Sequence, residues 1–282
     1  MNLSELKYEN ISRYLNNKYN FNIRSLPTNN NNHKKVIKIV TTGLLSQKKE
    51  LYLIQRLLDD EFILKYDYYE PDYLIYNVYG GDEMNKKYKN LVKIAFFTEN
   101  LMADINYADY IIGNYHINYL DRYYKYCGFL WRNLRDINKK REEVFYKPIK
   151  KKFCAAVISN CRKRYIFRLK FITELNKYKK VDMGGKCRNN INKRVINKIE
   201  FLSEYKFSIA MENSNGDGYL SEKIVQSFLA GTIPIYYGDY MLEEFINPKT
   251  YILIKGEKDI KEKIDYIKKI DNDDELYLSL IK

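Results

Sequence analysis

A glutamate and a lysine stand side by side where a helix-like stretch begins, with glycines just before them. An apolar run, Phe207-Ser-Ile-Ala-Met211, leads into Glu212-Asn213. Gly216 and Gly218 follow, and then Tyr219-Leu-Ser-Glu-Lys223 opens an amphipathic stretch. Glycines before a helix N-terminus leave backbone N–H groups open to an anion, and the helix dipole favours negative charge there. Ser221 is of the type that caps such a helix. A cation such as Lys223 opposes the dipole, and a bound phosphate would remove that conflict. Glu222 has the chemistry to accept hydrogen bonds from ribose hydroxyls. As an isolated pair, Glu222 and Lys223 also fit a solvated ion pair on an ordinary helix.

The elements around this segment decide between those readings. Val36-Ile37-Lys38-Ile39-Val40 is a β-branched run followed by a turn at Thr41-Thr42-Gly43 and a helical pattern over 47–59. Strands are predicted at 72–78, 93–98 and 109–113. The stretch 121–150 is basic, aromatic and poorly periodic, and reads as an interdomain region. A second series then begins: strand 153–159, helix 165–178, strand 180–182, strand 207–211, helix 221–229, and strands 233–237 and 251–254. Helices at 259–269 and 273–281 close the chain. Short apolar strands without clean alternation suit a parallel sheet covered on both faces. Two such series predict an α/β protein with two Rossmann-like domains facing across a cleft. The first spans 1–150, with a helical lead over 1–26 and an asparagine run at 29–32, and the second spans 151–282. Ligands in such sheets sit at the carboxyl ends of strands, where Glu212 and Glu99 both fall.

The helix at 221–229 is followed by Ala230-Gly-Thr-Ile-Pro-Ile-Tyr-Tyr-Gly-Asp239. The whole run resembles the donor-binding motif of the α-1,3/1,4-fucosyltransferases, glycosyltransferase family 10. That motif is an apolar strand, E-N-S/T, a short loop, Y-[LIV]-[ST]-E-K, a helix, and G-[TA]-[IV]-P-[IV]-x-x-G. Glu212, Asn213, Ser214, Tyr219, Ser221, Glu222, Lys223, Gly231, Pro234 and Gly238 match it in order. Ser159-Asn160-Cys161, the helix carrying Arg168, and Gly184-Gly185 resemble further family segments. So do Phe245, Asn247-Pro248-Lys249 and Ile264-Asp265-Tyr266-Ile267. In the first half, Ala95-Phe96-Phe97-Thr98-Glu99-Asn100 and Ala108-Asp109-Tyr110-Ile111-Ile112-Gly113 resemble its two strand ends. The resemblance covers about residues 70–282.

The resemblance implies the GT-B fold and an inverting transfer of L-fucose from GDP-fucose to a hydroxyl of an acceptor oligosaccharide or glycoconjugate, with α-1,3 linkage. It makes Glu99 the base that takes the acceptor proton. Arg168 and Lys223 then face the diphosphate, Arg168 being preferred over Arg162 and Arg164 because the residues after it match best. Glu222 holds the ribose, Tyr219 and Asn213 line the donor pocket, and Glu212 contacts fucose hydroxyls. No cofactor or metal is required, since side chains and helix ends neutralise the leaving group; a divalent cation enters only as a stimulant. His33 and His116 have no ligand partners nearby in sequence, and Asp271-Asn272-Asp273 reads as a helix cap rather than a metal motif.

Composition sets the remaining bounds. Lys and Arg number 49 against 36 Asp and Glu, a net charge of +13, which predicts attraction to anions such as nucleotide phosphates or an acidic membrane face. Tyrosine is abundant at 29, and with the basic charge it raises the rival of a nucleic-acid-binding protein. The basic residues are spread rather than clustered and no nucleic-acid motif is present, so nucleic acid is not an expected partner. A GT-B enzyme using another nucleotide sugar is the other rival. The N-terminus has no apolar core of a signal peptide, and no run is long enough to span a bilayer. These features predict a cytoplasmic protein of the soluble bacterial or viral type, attached to a membrane at most peripherally. Cys127, Cys154, Cys161 and Cys187 fit no metal spacing and are expected to be reduced thiols.

Overall fold

The computed structural model describes residues 35–43, 62–80, 86–97, 99–126, 137, 152–162 and 166–281. The helical lead 1–26, the asparagine run and the helix over 47–59 lie outside the described residues. The chain divides into two compact units, Met1–Tyr126 and Cys127–Lys282.

The first unit carries a parallel sheet. Its strands are β1 (Lys35–Thr42), β2 (Phe62–Tyr66), β3 (Tyr73–Tyr76), β4 (Val92–Phe97), β5 (Tyr110–Gly113) and β6 (Tyr123–Lys125). They lie in the order β2-β1-β3-β4-β5-β6. Register is set by burial: Val40 is opposite Leu74, and Ala95 is opposite Ile111, all four in the core. The stretch read as interdomain thus begins inside this sheet. Three residues of β6 are too few to show a period, and Tyr123 alone of them is buried.

The second unit carries β7 (Lys152–Ala156), β8 (Val181–Met183), β9 (Tyr205–Met211), β10 (Ile233–Tyr237) and β11 (Ile252–Leu253). These too are parallel, in the order β11-β10-β9-β7-β8. The described helices are α1 (Ile166–Asn176), α2 (Lys198–Leu202), α3 (Glu222–Leu229), α4 (Ile260–Asn272) and α5 (Asp274–Ile281). Every residue of β9 is buried, because helices cover both faces. One face packs Leu169, Phe171, Ile172 and Leu175 of α1 with the Ile260, Ile264, Ile267 and Ile270 stripe of α4. Steps of four and three put that stripe on one side of a helix. The other face packs Ala210 and Tyr236 with Ile224 and Val225 of α3, and α2 lies against α3.

Two readings change. Asp273 does cap α5, its Oδ1 accepting from the Leu276 N–H at 2.9 Å. Asp271 does not cap a helix. It is 8% exposed, accepts from the Tyr178 hydroxyl at 3.0 Å, and pairs with Lys179 and with Lys206 at the start of β9. The cysteines are not all reduced, since Cys161 and Cys187 form a disulfide across 26 positions. It joins the loops that follow the neighbouring parallel strands β7 and β8, which end side by side. Cys154 is free and buried, and burial pushes its thiol pKa up.

Candidate donor-binding site

Strand order reverses at β7, whose neighbours are β8 on one side and β9 on the other. At such a switch point the loops leave a sheet in opposite directions and open a crevice at the carboxyl ends of the strands. Asn160 follows β7, and Glu212-Asn213 follows β9. Arg168 joins them. It leaves the first turn of α1 and is 3% exposed. Its Nη1 donates to Asn213 Oδ1 at 2.6 Å, and its Nη2 donates to the Asn160 carbonyl at 2.5 Å. A planar guanidinium has the fork needed to hold both loops at once, and an ammonium does not. Of the three arginines near this position in sequence, Arg162 is exposed, Arg164 lies outside the described residues, and Arg168 occupies the crevice.

Next to this strap is a buried carboxylate with a full set of donors. Glu212 is 1% exposed. Its Oε1 accepts from the Ser221 N–H at 3.0 Å and the Ser221 hydroxyl at 2.6 Å. Its Oε2 accepts from Lys223 Nζ at 2.6 Å, and Nζ also donates to Ser221 Oγ at 2.9 Å. The cation at the start of α3 is therefore held by Glu212, which supplies the counter-charge that the sequence alone set to a phosphate. Ser221 caps α3 in an extended conformation. Glu222 stands at 4.0 Å from Lys223 Nζ with its side chain 44% exposed, open to a ligand as Glu212 is not.

The loop between β9 and α3 is held from below. Gly218 has φ +99°, a conformation that costs a side chain and that glycine adopts freely. It turns the chain into buried Tyr219, whose carbonyl accepts from the Tyr236 hydroxyl at 3.3 Å. The same hydroxyl accepts from the Asp239 N–H at 2.9 Å, and burial raises its pKa well above the ordinary tyrosine value. A Cβ at Gly238 would lie 2.4 Å from Tyr236 Oη and 2.9 Å from Glu212 Cγ. That close approach lets the end of β10 sit against the carboxylate.

Glu99 belongs to the first unit. It is exposed, two residues beyond Phe97 at the end of β4, and its carbonyl accepts from the Leu101 N–H at 2.8 Å. A cavity of about 520 Å³ opens at the ends of β3 and β4, with Tyr76, Asn77, Phe97, Asp104 and Tyr107 among its lining residues. Tyr76 packs edge-on against Phe97 and Tyr107. His116 faces Lys125 within this unit. Among the described residues no group of three or more His, Cys, Asp or Glu is placed to hold a metal ion, and no helix is long and apolar enough to cross a membrane.

Sequence reasoning brought Arg168, Glu212, Asn213, Tyr219, Glu222 and Lys223 to one region, and the structure gathers them at the ends of β9 and α3. It did not anticipate the short helix α2, which begins at Lys198 and packs against α3. A capping asparagine at 197 with an acidic residue three positions later was the available signal; the Asn197 side chain accepts from Glu200 N–H.

Two family models match the chain. Residues 38–132 match the Alpha-(1,3)-fucosyltransferase FucT N-terminal domain, and residues 147–282 match the C-terminal region of Glycosyltransferase family 10 (fucosyltransferase). The chain belongs to glycosyltransferase family 10. Alpha-(1,3)-fucosyltransferase FucT of Helicobacter pylori is 30% identical over an alignment of 243 positions that covers 74% of this family 10 chain and 50% of that protein. Glycoprotein 3-alpha-L-fucosyltransferase A of Drosophila melanogaster is 34% identical over 154 residues, covering 52% of this chain and 30% of that protein. The chain thus spans about half the length, or less, of the curated relatives it matches. A crystal structure of an alpha1,3-fucosyltransferase with GDP-fucose superposes with a TM-score of 0.73 at 25% identity, covering 91% of this chain and 84% of that one. The two parallel-sheet units are the Rossmann-like domains of the GT-B fold.

Proposed function

We propose that this family 10 chain transfers L-fucose from GDP-fucose to a hydroxyl of an acceptor glycan with inversion, forming an α-1,3 linkage. The observation that carries the proposal is the Arg168 strap across the β7/β9 crevice, with the capped start of α3 beside it. Arginine, backbone N–H groups and Lys223 suit a diphosphate, while exposed Glu222 suits ribose hydroxyls.

In the proposed reaction the acceptor oxygen attacks the anomeric carbon of fucose from the face opposite the phosphate. The new C–O bond forms as the bond from that carbon to the β-phosphate oxygen breaks, and GDP leaves with the electron pair. Glu99 takes the proton of the acceptor hydroxyl, a role worth typically ~10²–10⁴ in rate. Arg168 and Lys223 meet the charge that builds on the departing diphosphate. Glu212 has both oxygens engaged and serves to place Ser221 and Lys223 rather than to touch sugar. The cavity at the ends of β3 and β4 is the acceptor side in this reading, with aromatic faces and polar tips suited to a sugar.

Thermal melting of the whole chain with GDP, GDP-fucose, UDP, CDP and ADP tests the donor. Ligand at 100 times its dissociation constant stabilises by about 2.7 kcal/mol, which raises the midpoint by roughly 5–10 °C for a chain of this size. A shift with GDP and GDP-fucose alone is expected. A shift with UDP alone would remove fucose and keep a GT-B transferase.

A further inference from the structure

Lys198 is the first residue of α2, and α2 packs against α3, whose first turn holds the donor-site charges. The side chain is half-buried. Among the described residues no carboxylate comes within 4 Å of its ammonium, whereas Lys223 has one at 2.6 Å. Partly burying a cation without an ion-pair partner costs free energy, and a bound anion would supply the missing charge.

The direction of approach is set by topology. Helix α2 leads into β9 through Ser203-Glu204 and packs against α3, which begins past the carboxyl end of that strand. Glu222, Lys223 and Glu212 are its electrostatic neighbours. Of these, Glu212 is already engaged by Lys223 and Ser221, and Glu222 is too far to pair with it. Burial holds the Lys198 pKa below the usual lysine value; Lys223 pushes it the same way, and Glu222 and Glu212 oppose.

We infer that Lys198 is a further donor-binding residue, a cation that pairs with the anionic diphosphate of the nucleotide alongside Arg168 and Lys223. The inference rests on the donor reading proposed above. Its chemistry requires an anion and is indifferent to the base.

The test is calorimetric titration of the full chain with GDP and with guanosine, comparing the parent with Lys198→Met and Lys198→Arg. The expected result is a tenfold or greater loss of GDP affinity in Lys198→Met with guanosine affinity unchanged, and recovery of most GDP affinity in Lys198→Arg. GDP affinity within twofold of the parent in Lys198→Met overturns the inference, as does an equal loss for GDP and guanosine. Should Lys198→Met fail to fold, Lys198→Gln keeps a polar tip and is read in the same way. A parent that binds UDP and not GDP sinks the fucose donor but leaves Lys198 to be judged by UDP against uridine on the same criteria.

Discussion

The two parallel sheets of this molecule each reverse strand order once, between β1 and β3 in the first unit and between β7 and β9 in the second, yet the residues beyond the strand ends, at β7/β9 in the second unit and at β3/β4 in the first, differ in kind. At β7/β9 two charged side chains are buried and paired: Arg168 is 3% exposed and Glu212 1%, each with named partners. In the first unit Glu99 is exposed, and the nearby cavity is lined by aromatic faces, amide and carboxylate tips and two exposed lysines. A wired crevice suits one fixed ligand, since each partner is already in place and little reorganises on binding. An open, aromatic one suits sugars that differ in their branches. The contrast fits the proposed reading, with the donor held at β7/β9 and the acceptor met on the first unit.

Glu99→Gln should have the largest effect, lowering transfer by ~10²–10⁴ while GDP affinity stays within twofold. Full activity in that variant would break the contrast, because the first unit would then hold no reacting group among those named. Arg168→Lys comes next. Losing the fork costs one charge-assisted hydrogen bond or more, about 2–4 kcal/mol, read as a loss of about 30-fold or more in GDP affinity by calorimetry. Asp271→Ala should cost about 3–5 kcal/mol of stability, because the Tyr178 hydroxyl and Lys179 lose their charged acceptor at roughly 1.5–3 kcal/mol each, while Lys206 keeps Asp274 and GDP affinity of the folded variant stays unchanged. Urea unfolding followed by intrinsic fluorescence reads the first, and an equal loss in both quantities would merge scaffold with site. Removing the disulfide by Cys161→Ser should cost about 3–4 kcal/mol in the loop-entropy account, measured as a lower thermal midpoint. Tyr69→Ser should be smallest. Its side chain is 95% exposed, and stability should move by less than about 0.5 kcal/mol.

The second unit was largely legible in the sequence. Strand 233–237 and the capped helix after Ser221 are each local patterns, and Glu212 to Lys223 lie within twelve consecutive positions. Arg168 is 45 residues from Asn213, and choosing it over Arg162 and Arg164 came from the family resemblance; nothing local marks which arginine turns inward. The pairing of Glu212 with Lys223 was not legible, because sequence shows two charges and not which lone pair each one fills. Nor was Lys198, which lies on a helix of a single turn where periodicity has no room to appear. In the first unit β2 and β6 were missed for the same reason, as edge strands with few buried residues.

Strand β9 carries Lys206 near its start, facing Asp271, and is followed at once by Glu212, facing Ser221 and Lys223. Between them lie only apolar residues and Ser208. A slip by one residue would turn every side chain to the wrong face, but a slip by two would keep the faces and shift the strand by about 6.6 Å. The apolar stretch, which packs wherever helices cover it, offers little resistance to that second error. The two ends do resist it, since the shift pulls both ions from their partners together. The carboxylate after β9 therefore also works as one mark of a two-mark ruler that holds the register of the central strand.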